Sequence, residues 1–100
     1  MNELQYLLCS IGEESVEVSQ RCSKAQRFGL HEVQEDQEGP PLDNAERIIY
    51  EFNDSYALLL LLQKDHPEIG DLIRPDYIAA KQEKYQKFLD YAKDIGTVTK

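Results

Sequence analysis

Hydrophobic residues recur every three or four positions in three segments of the chain, which is the spacing of one face of an α-helix. These segments cover residues 2–28, about 43–64 and about 75–95. No segment alternates between hydrophobic and polar residues as a half-buried strand would, and the GTVTK stretch near the end is too short to count. The pattern therefore predicts an all-α fold with three main helices.

The residues at the ends of these segments support the same boundaries. Gly29 directly follows the first segment, as glycine commonly does after a helix. Asp43 and Glu46 have the spacing of a capping box at the start of the second segment, and Pro75 suits the first turn of the third. Residues 68–73 leave room for an additional short helical turn.

The connection over residues 30–42 is acidic and contains Gly39, Pro40 and Pro41. It is longer than most links between packed helices, so we expect a loop with a role of its own. A chain of 100 residues suits a single domain, here residues 1–100. Because so small a chain builds only a modest core, we expect a small helical bundle completed by oligomerisation, as a homodimer or a homotetramer.

Composition and charge narrow the classes of function and the compartment. The formal net charge is −8, and an acidic protein repels nucleic-acid phosphates, so we expect no nucleic-acid binding. The first residues lack the basic region of a signal peptide, and the longest apolar run, Tyr56–Leu62, is too short to span a bilayer. Cys9 and Cys22 fall on the hydrophobic stripe of the first segment and are expected as reduced core thiols. We therefore expect a cytoplasmic protein without membrane contact.

Carboxylates lie in line with the hydrophobic stripes of the first two helices. Glu14 and Glu17 are three residues apart, as are Glu51 and Asp54, so each pair occupies one face of its helix. Glu14 lies within the stripe itself, three residues after Ile11. If the stripes of the two helices face each other, these four carboxylates converge.

Convergent carboxylates repel one another, and desolvation at a partly buried site adds several kcal/mol for each ion. Protonation or a bound cation would relieve the repulsion. Ligands that are all oxygen favour a hard cation, Mg²⁺ first, with Mn²⁺ or Ca²⁺ as alternatives. Mg²⁺ usually keeps positions for water and substrate phosphates, which predicts an open site. The alternative is a solvated acidic face, the commoner origin of a single glutamate-rich helix motif.

The two acidic motifs, EESVE (Glu13–Glu17) and EFND (Glu51–Asp54), resemble the EExxE…ExxD signature of the all-α NTP pyrophosphohydrolases, the MazG-like superfamily. The similarity extends to the segments SKAQRFG, NAERIIYEFND and AKQEKYQKFLDY, and so covers most of residues 4–91. These segments are similar to a compact single-domain branch found in phages and bacteria. The two motifs are further apart than in the compact members.

The resemblance implies a hydrolase that converts a nucleoside triphosphate, NTP or dNTP, to the monophosphate and pyrophosphate with Mg²⁺. By motif position, it makes Glu14, Glu17, Glu51 and Asp54 the metal ligands. It also places Glu13 in the catalytic centre, either behind the ligands or as the base that orients the attacking water.

A triphosphate also requires positive charge. Lys24 lies seven residues after Glu17 on nearly the same helix face, and Arg27 follows it. In the third segment, Lys81 and Lys84 are three residues apart, and the resemblance favours Lys81. All four are candidates for phosphate binding, although cations in a last helical turn or on a solvated face need no ligand.

Two other functions fit the same residues. The acidic face could belong to a non-catalytic helical interaction protein that binds a partner or Ca²⁺. The site could also hydrolyse another nucleotide, such as an alarmone.

Overall fold

The computed structural model describes residues 1–99, and three α-helices make up most of it. They are α1, Glu3–Phe28; α2, Asn44–Asp65; and α3, Pro75–Asp94. A short 3₁₀ turn, Pro67–Ile69, follows α2, slightly earlier than the additional turn that the sequence allowed. Within the described residues no strand forms, so the all-α prediction and its three main helices are confirmed.

Both α1 and α2 begin at capping boxes. The Asn2 side chain accepts a hydrogen bond from the Gln5 backbone N–H, and the Gln5 side chain accepts one from the Asn2 backbone N–H, both at 2.8 Å. The Asp43 side chain accepts from the Glu46 N–H at 2.8 Å, and Glu46 accepts from the Asp43 N–H at 3.2 Å. Such caps satisfy donors that a helix leaves free, and each is worth about 1 kcal/mol. The predicted start of α2 is therefore confirmed.

The two long helices α1 and α2 pack as an antiparallel pair. Asn44, at the start of α2, binds the backbone carbonyl of Gly29, which follows α1. Glu14, which lies earlier in α1, is beside Asp54, which lies later in α2, so the two helices run in opposite directions. The residues of α1 that become half-buried follow one helix face: Leu7, Ser10, Ile11, Glu14, Glu17, Val18, Arg21, Lys24 and Ala25.

The hydrophobic stripe predicted for α1 is wrong at its edges. Leu4 and Leu8 share the helical spacing of that stripe, but both are exposed. Cys9 and Cys22 are exposed as well, so the two cysteines expected as core thiols are surface thiols. The reason is that α2 covers only the arc of α1 centred near Glu14. At about 100° per residue, Cys9 lies roughly 140° around the helix from that centre.

The loop between α1 and α2 is closed at its base by backbone hydrogen bonds. The Asn44 N–H donates to the Glu32 carbonyl at 3.1 Å, and the Ala45 N–H donates to the Leu30 carbonyl at 2.9 Å. An isolated antiparallel bridge also joins Val33 and Asp43. These bonds bring the two ends of the loop together.

The interior of the same loop is organised around Gln37. Its side-chain amide donates to the Gln34 and Leu42 carbonyls at 3.0 and 2.9 Å, and its side-chain oxygen accepts from the Leu42 N–H at 3.1 Å. Arg47 of α2 also donates to that oxygen and to the Glu38 carbonyl. The loop is therefore tied both to itself and to α2.

Asn44 is the one buried residue in the part of the chain that the structure describes, with 2% of its surface exposed. Its side-chain NH₂ group donates to the Gly29 carbonyl at 2.8 Å and to Glu32 Oε2 at 2.9 Å. Across residues 1–99 no apolar side chain is buried. Residues 1–99 therefore contain polar anchoring between α1 and α2 but no closed hydrophobic core.

By its contacts the chain divides into two units, Met1–Gly70 and the part from Asp71 onward. The first unit holds α1, α2 and the 3₁₀ turn, and the second holds α3, whose side chains are nearly all exposed. A single domain over residues 1–100 stays a prediction. None of the helices in the described residues combines the length and apolar character needed to cross a membrane.

Candidate metal centre

Three of the predicted carboxylates converge between α1 and α2. Glu14 comes from α1, and Glu51 and Asp54 come from successive turns of α2. One carboxylate oxygen from each lies within 4.8 Å of the others. Glu14 and Glu51 are half-buried, whereas Asp54 is exposed, so the cluster is open to solvent on one side. Two motifs that are far apart in the sequence thus meet at one place.

The cluster changes the proton affinity of its central member. Partial burial raises the pKa of Glu14 above its usual value, and the negative charges of Asp54, Glu51 and Glu17 raise it further. A hydrogen bond between the Glu14 and Glu51 side chains also raises that pKa. Such a bond requires a proton on one of the two carboxyl groups. The raised pKa makes Glu14 easier to protonate, and either a proton or a bound cation would relieve the repulsion among the carboxylates.

The donor set suits a hard divalent cation. All three groups offer carboxylate oxygens, within a distance that one ion can bridge, and no sulfur or imidazole nitrogen from residues 1–99 joins them. Mg²⁺ is usually held by a few carboxylates and completes its coordination with water and substrate phosphates. The exposed position of Asp54 leaves room for such ligands.

Arg21 lies beside the cluster and was not predicted from the sequence. Its Nε is 3.7 Å from Glu51 Oε1, and the two side chains are only 21% and 15% exposed. That Nε atom is buried without a hydrogen-bond partner among the described residues. The guanidinium offsets part of the negative charge of the three carboxylates. The signal for Arg21 was its position four residues after Glu17, on the face that α1 turns toward α2.

The other two predicted carboxylates lie outside the group of three. Glu17 is half-buried one turn after Glu14, close enough for its charge to raise the pKa of Glu14. It offers no oxygen within the same 4.8 Å grouping. Glu13 is exposed, roughly 100° around α1 from its neighbour Glu14. The roles of Glu13 and Glu17 stay predictions.

A polar groove lies next to Arg21. Its volume is about 510 Å³, and three cations line it, Arg21, Lys24 and Arg47, together with loop residues Gln34, Asp36, Gln37 and Glu38. Lys24 thus lines the same groove as Arg21, and its role in phosphate binding stays a prediction. Arg47 was missed from the sequence, although it lies four residues before Glu51 and so on a nearby part of the same helix face.

The remaining predicted cations are not part of this groove. The Arg27 guanidinium lies over the Phe28 ring, 5.1 Å from its centroid. Lys81 and Lys84 are exposed on α3, in the second unit, and Lys84 lines a surface depression with Glu83 and Lys87. Phosphate binding by Arg27, Lys81 and Lys84 stays a prediction.

Comparison of the chain with protein-family models, with curated proteins and with solved structures finds no match. The MazG-like resemblance therefore rests on the residues and segments in which it was seen. The geometry of the three carboxylates stands independently of that resemblance.

Proposed function

We propose that this protein is a Mg²⁺-dependent nucleoside triphosphate pyrophosphohydrolase, which converts an NTP or dNTP to the monophosphate and pyrophosphate. The observation that supports this most is the convergence of Glu14, Glu51 and Asp54, with oxygens within 4.8 Å of one another. A solvated acidic face would not require carboxylates from two helices to meet, since like charges in contact are destabilising. The residue patterns and the order of the two acidic motifs supply the reaction class through their resemblance to the MazG-like superfamily.

In this proposal Glu14, Glu51 and Asp54 hold Mg²⁺, Mn²⁺ can replace it, and Glu17 is the fourth carboxylate. The bound cation would supply positive charge next to the phosphate oxygens, where negative charge develops during hydrolysis. Arg21 keeps Glu51 in place through their 3.7 Å ion pair. Lys24, whose side chain lines the groove beside Arg21, would bind a phosphate. Glu13 either supports the ligands or orients the attacking water.

The wider expectations belong to the same proposal. We expect a homodimer or homotetramer that acts in the cytoplasm on free nucleotides and binds no nucleic acid. The net charge of −8 supports the last point, since nucleic-acid phosphates would be repelled.

The test is to incubate the protein with Mg²⁺ and a panel of canonical and damaged NTPs and dNTPs, with an alarmone included. Pyrophosphate and monophosphate are then quantified. We expect the two products in equal amounts from at least one triphosphate, and a loss of at least ~100-fold in Glu14→Gln, since removing a metal ligand costs at least as much as removing its supporting partner. Glu3→Gln, at an exposed position in the first turn of α1, is the matched control and should keep full activity.

Two results would contradict the proposal. If no triphosphate yields pyrophosphate, the reaction is wrong, and turnover of the alarmone alone would identify a different hydrolase. If Glu14→Gln is as active as Glu3→Gln, the reaction can stand but the site is wrong.

A further inference from the structure

The polar groove beside the carboxylates gathers positive charge in an acidic part of the chain. Residues 1–70 contain 14 Asp and Glu residues and five Lys and Arg residues, and three of these five line the groove: Arg21, Lys24 and Arg47. All three are half-buried, although Lys and Arg are mostly exposed in proteins. Asp36 and Glu38 also line the groove, so its cations outnumber its anions by one. Half-buried cations that share one groove repel one another, and a bound anion would relieve that repulsion.

The groove leads from the carboxylates toward the loop. Arg21, which lines it, pairs with Glu51 of the cluster at 3.7 Å. Arg47 lies four residues before Glu51, about 6 Å along α2, and Lys24 lies three residues after Arg21, about 4.5 Å along α1. Because the two helices are antiparallel, both steps run in the same direction, away from the cluster. A chain of anionic groups that begins at the cluster would therefore meet these cations in turn.

The loop holds Arg47 in place without cancelling its charge. Arg47 Nε donates to Gln37 Oε1 at 3.0 Å, and Arg47 Nη2 donates to the Glu38 carbonyl at 3.2 Å. Gln37 is itself held by the Gln34 and Leu42 backbone. Both acceptors of Arg47 are neutral, and a guanidinium has five N–H donors in a planar fork that suits phosphate oxygens. A side chain that is oriented before its ligand arrives loses less conformational entropy on binding.

We propose that this groove binds the β- and γ-phosphates of the triphosphate, and that Arg47 makes the site select triphosphates over diphosphates. The inference rests on the proposed function, in which the carboxylates and their cation hold the phosphate that is attacked. The groove then receives the next two phosphates, which leave together as pyrophosphate. Its excess of cations suits that anionic end of the substrate better than the uncharged nucleoside.

The proposal also gives the loop over residues 30–42 a role of its own. Gln34, Asp36, Gln37 and Glu38 line one side of the groove, and Gln37 orients the arginine that reads the phosphates. The length of this connection would thus serve the length of the phosphate chain.

The first test measures binding of inorganic pyrophosphate to the full chain in Mg²⁺ by titration calorimetry. Arg47→Gln and Lys24→Gln should each weaken binding about 10–100-fold, the range expected for the loss of a hydrogen bond to a charged group. Lys64→Gln is the matched control, because it removes the same charge from the exposed last turn at the other end of α2, and it should bind pyrophosphate as the wild type does. Since Arg47 also ties the loop, Lys24→Gln keeps the test decisive if Arg47→Gln does not fold.

The second test compares kcat/KM for a triphosphate with kcat/KM for the diphosphate of the same nucleoside. The wild type should favour the triphosphate, and Arg47→Gln should reduce that preference about 10–100-fold by losing activity on the triphosphate. Arg47→Lys, which keeps the charge but not the planar fork, should retain part of the preference. If Arg47→Gln changes the preferred base and leaves the preference for the triphosphate intact, the groove holds the base and the proposal is overturned.

Three further results separate the alternatives. Equal pyrophosphate binding by Arg47→Gln, Lys24→Gln and Lys64→Gln would overturn the groove as the phosphate site. Gln37→Ala keeps every cation but releases the loop; if it weakens binding as much as Arg47→Gln does while Lys24→Gln has no effect, Arg47 only holds the loop and the proposal is wrong. If pyrophosphate binding depends on Arg47 and Lys24 but no triphosphate is hydrolysed, the proposed function fails and the pyrophosphate site stands.

Discussion

Replacing Glu14 by Gln should make the metal-free protein more stable while removing its response to Mg²⁺. The pKa of Glu14 is raised by partial burial and then by the charges of Asp54, Glu51 and Glu17. The folded protein therefore binds this proton more tightly than the unfolded chain does. By linkage, stability falls as the pH rises through the usual pKa of a glutamate to the raised pKa of the folded state. At neutral pH an ionised Glu14 thus destabilises the fold, and an uncharged Gln of the same shape does not.

The size of the effect follows from the spacing of the cluster. Two unit charges 4.8 Å apart repel by about 0.9 kcal/mol in water and by about 3.5 kcal/mol at an effective dielectric constant of 20. Because Asp54 is exposed, the value near the lower limit applies. We expect Glu14→Gln to raise the free energy of unfolding in EDTA by about 1 kcal/mol, which corresponds to about 4–8 °C in the melting temperature of a chain of this size.

Mg²⁺ should reverse this order. At 100 times its dissociation constant, a ligand that binds only the folded state adds about 2.7 kcal/mol. The wild type would then be more stable than Glu14→Gln by about 2 kcal/mol. The assay is differential scanning calorimetry of both proteins at one concentration, in EDTA and in saturating Mg²⁺. Glu13→Gln removes the same charge from the adjacent exposed position, and it should change stability by less than about 0.5 kcal/mol in either buffer.

Two outcomes count against the cluster as described. In the first, Glu14→Gln is no more stable than the wild type in EDTA, which means that the carboxylates do not repel one another. In the second, Mg²⁺ stabilises Glu14→Gln as much as it stabilises the wild type. The first result would refute the electrostatics of the cluster, and the second would refute its role as the metal site.

Three further predictions follow from named contacts. Arg21→Gln should lower the free energy of unfolding by about 1 kcal/mol in EDTA and by less in saturating Mg²⁺, because the cation then offsets the charge of Glu51. An equal loss in both buffers, measured by calorimetry, would contradict this expectation. Asn44→Asp should lower the free energy of unfolding in urea by about 2–3 kcal/mol at pH 7, because a carboxylate would face the Gly29 carbonyl and Glu32. The loss should shrink near pH 4, where the new carboxylate takes up a proton, and a loss that does not depend on pH would exclude this cause. In titration calorimetry, Mg²⁺ should bind more weakly as the pH falls, because protons compete with the cation for Glu14. Mg²⁺ binding to the wild type should also release protons, whereas Glu14→Gln should release none.

The helices and their starts were predictable because the signals are local. The capping box at Asp43 and Glu46 involves residues three apart, so it is visible without any knowledge of the tertiary structure. The periodic pattern likewise placed Glu14, Glu51 and Asp54 on helix faces. Their convergence needed one further assumption, that the two faces meet in an antiparallel pair, which the geometry bears out.

The partners of the two arginines near the site were harder to predict from the sequence. Arg21 and Arg47 stand one turn from the acidic motifs, but a helical pattern does not say whether a cation pairs along its own helix or across to another. Here Arg21 pairs across to Glu51, and Arg47 binds the loop through Gln37. The loop itself contains no periodic signal, so the hydrogen bonds around Gln37 could not be predicted.

The hydrophobic residues were misjudged for a different physical reason. Periodicity shows that a side chain avoids water, but it does not say which partner covers it. On α1, Leu4 and Leu8 follow the helical spacing of the hydrophobic stripe, yet both are exposed. The pattern was wider than the arc that one neighbouring helix can cover. On α2, Ile49, Phe52 and Leu60 are likewise exposed.

The three carboxylates make part of the stability of the fold depend on a bound proton or ion. Their mutual repulsion would be relieved by a proton or, under the proposed function, by a divalent cation, and either one would add its binding free energy to the stability of the folded state. Among the described residues no apolar side chain is buried, so few other contacts offset that repulsion. A proton and a cation compete at Glu14, because partial burial and the neighbouring carboxylates raise the pKa of this side chain.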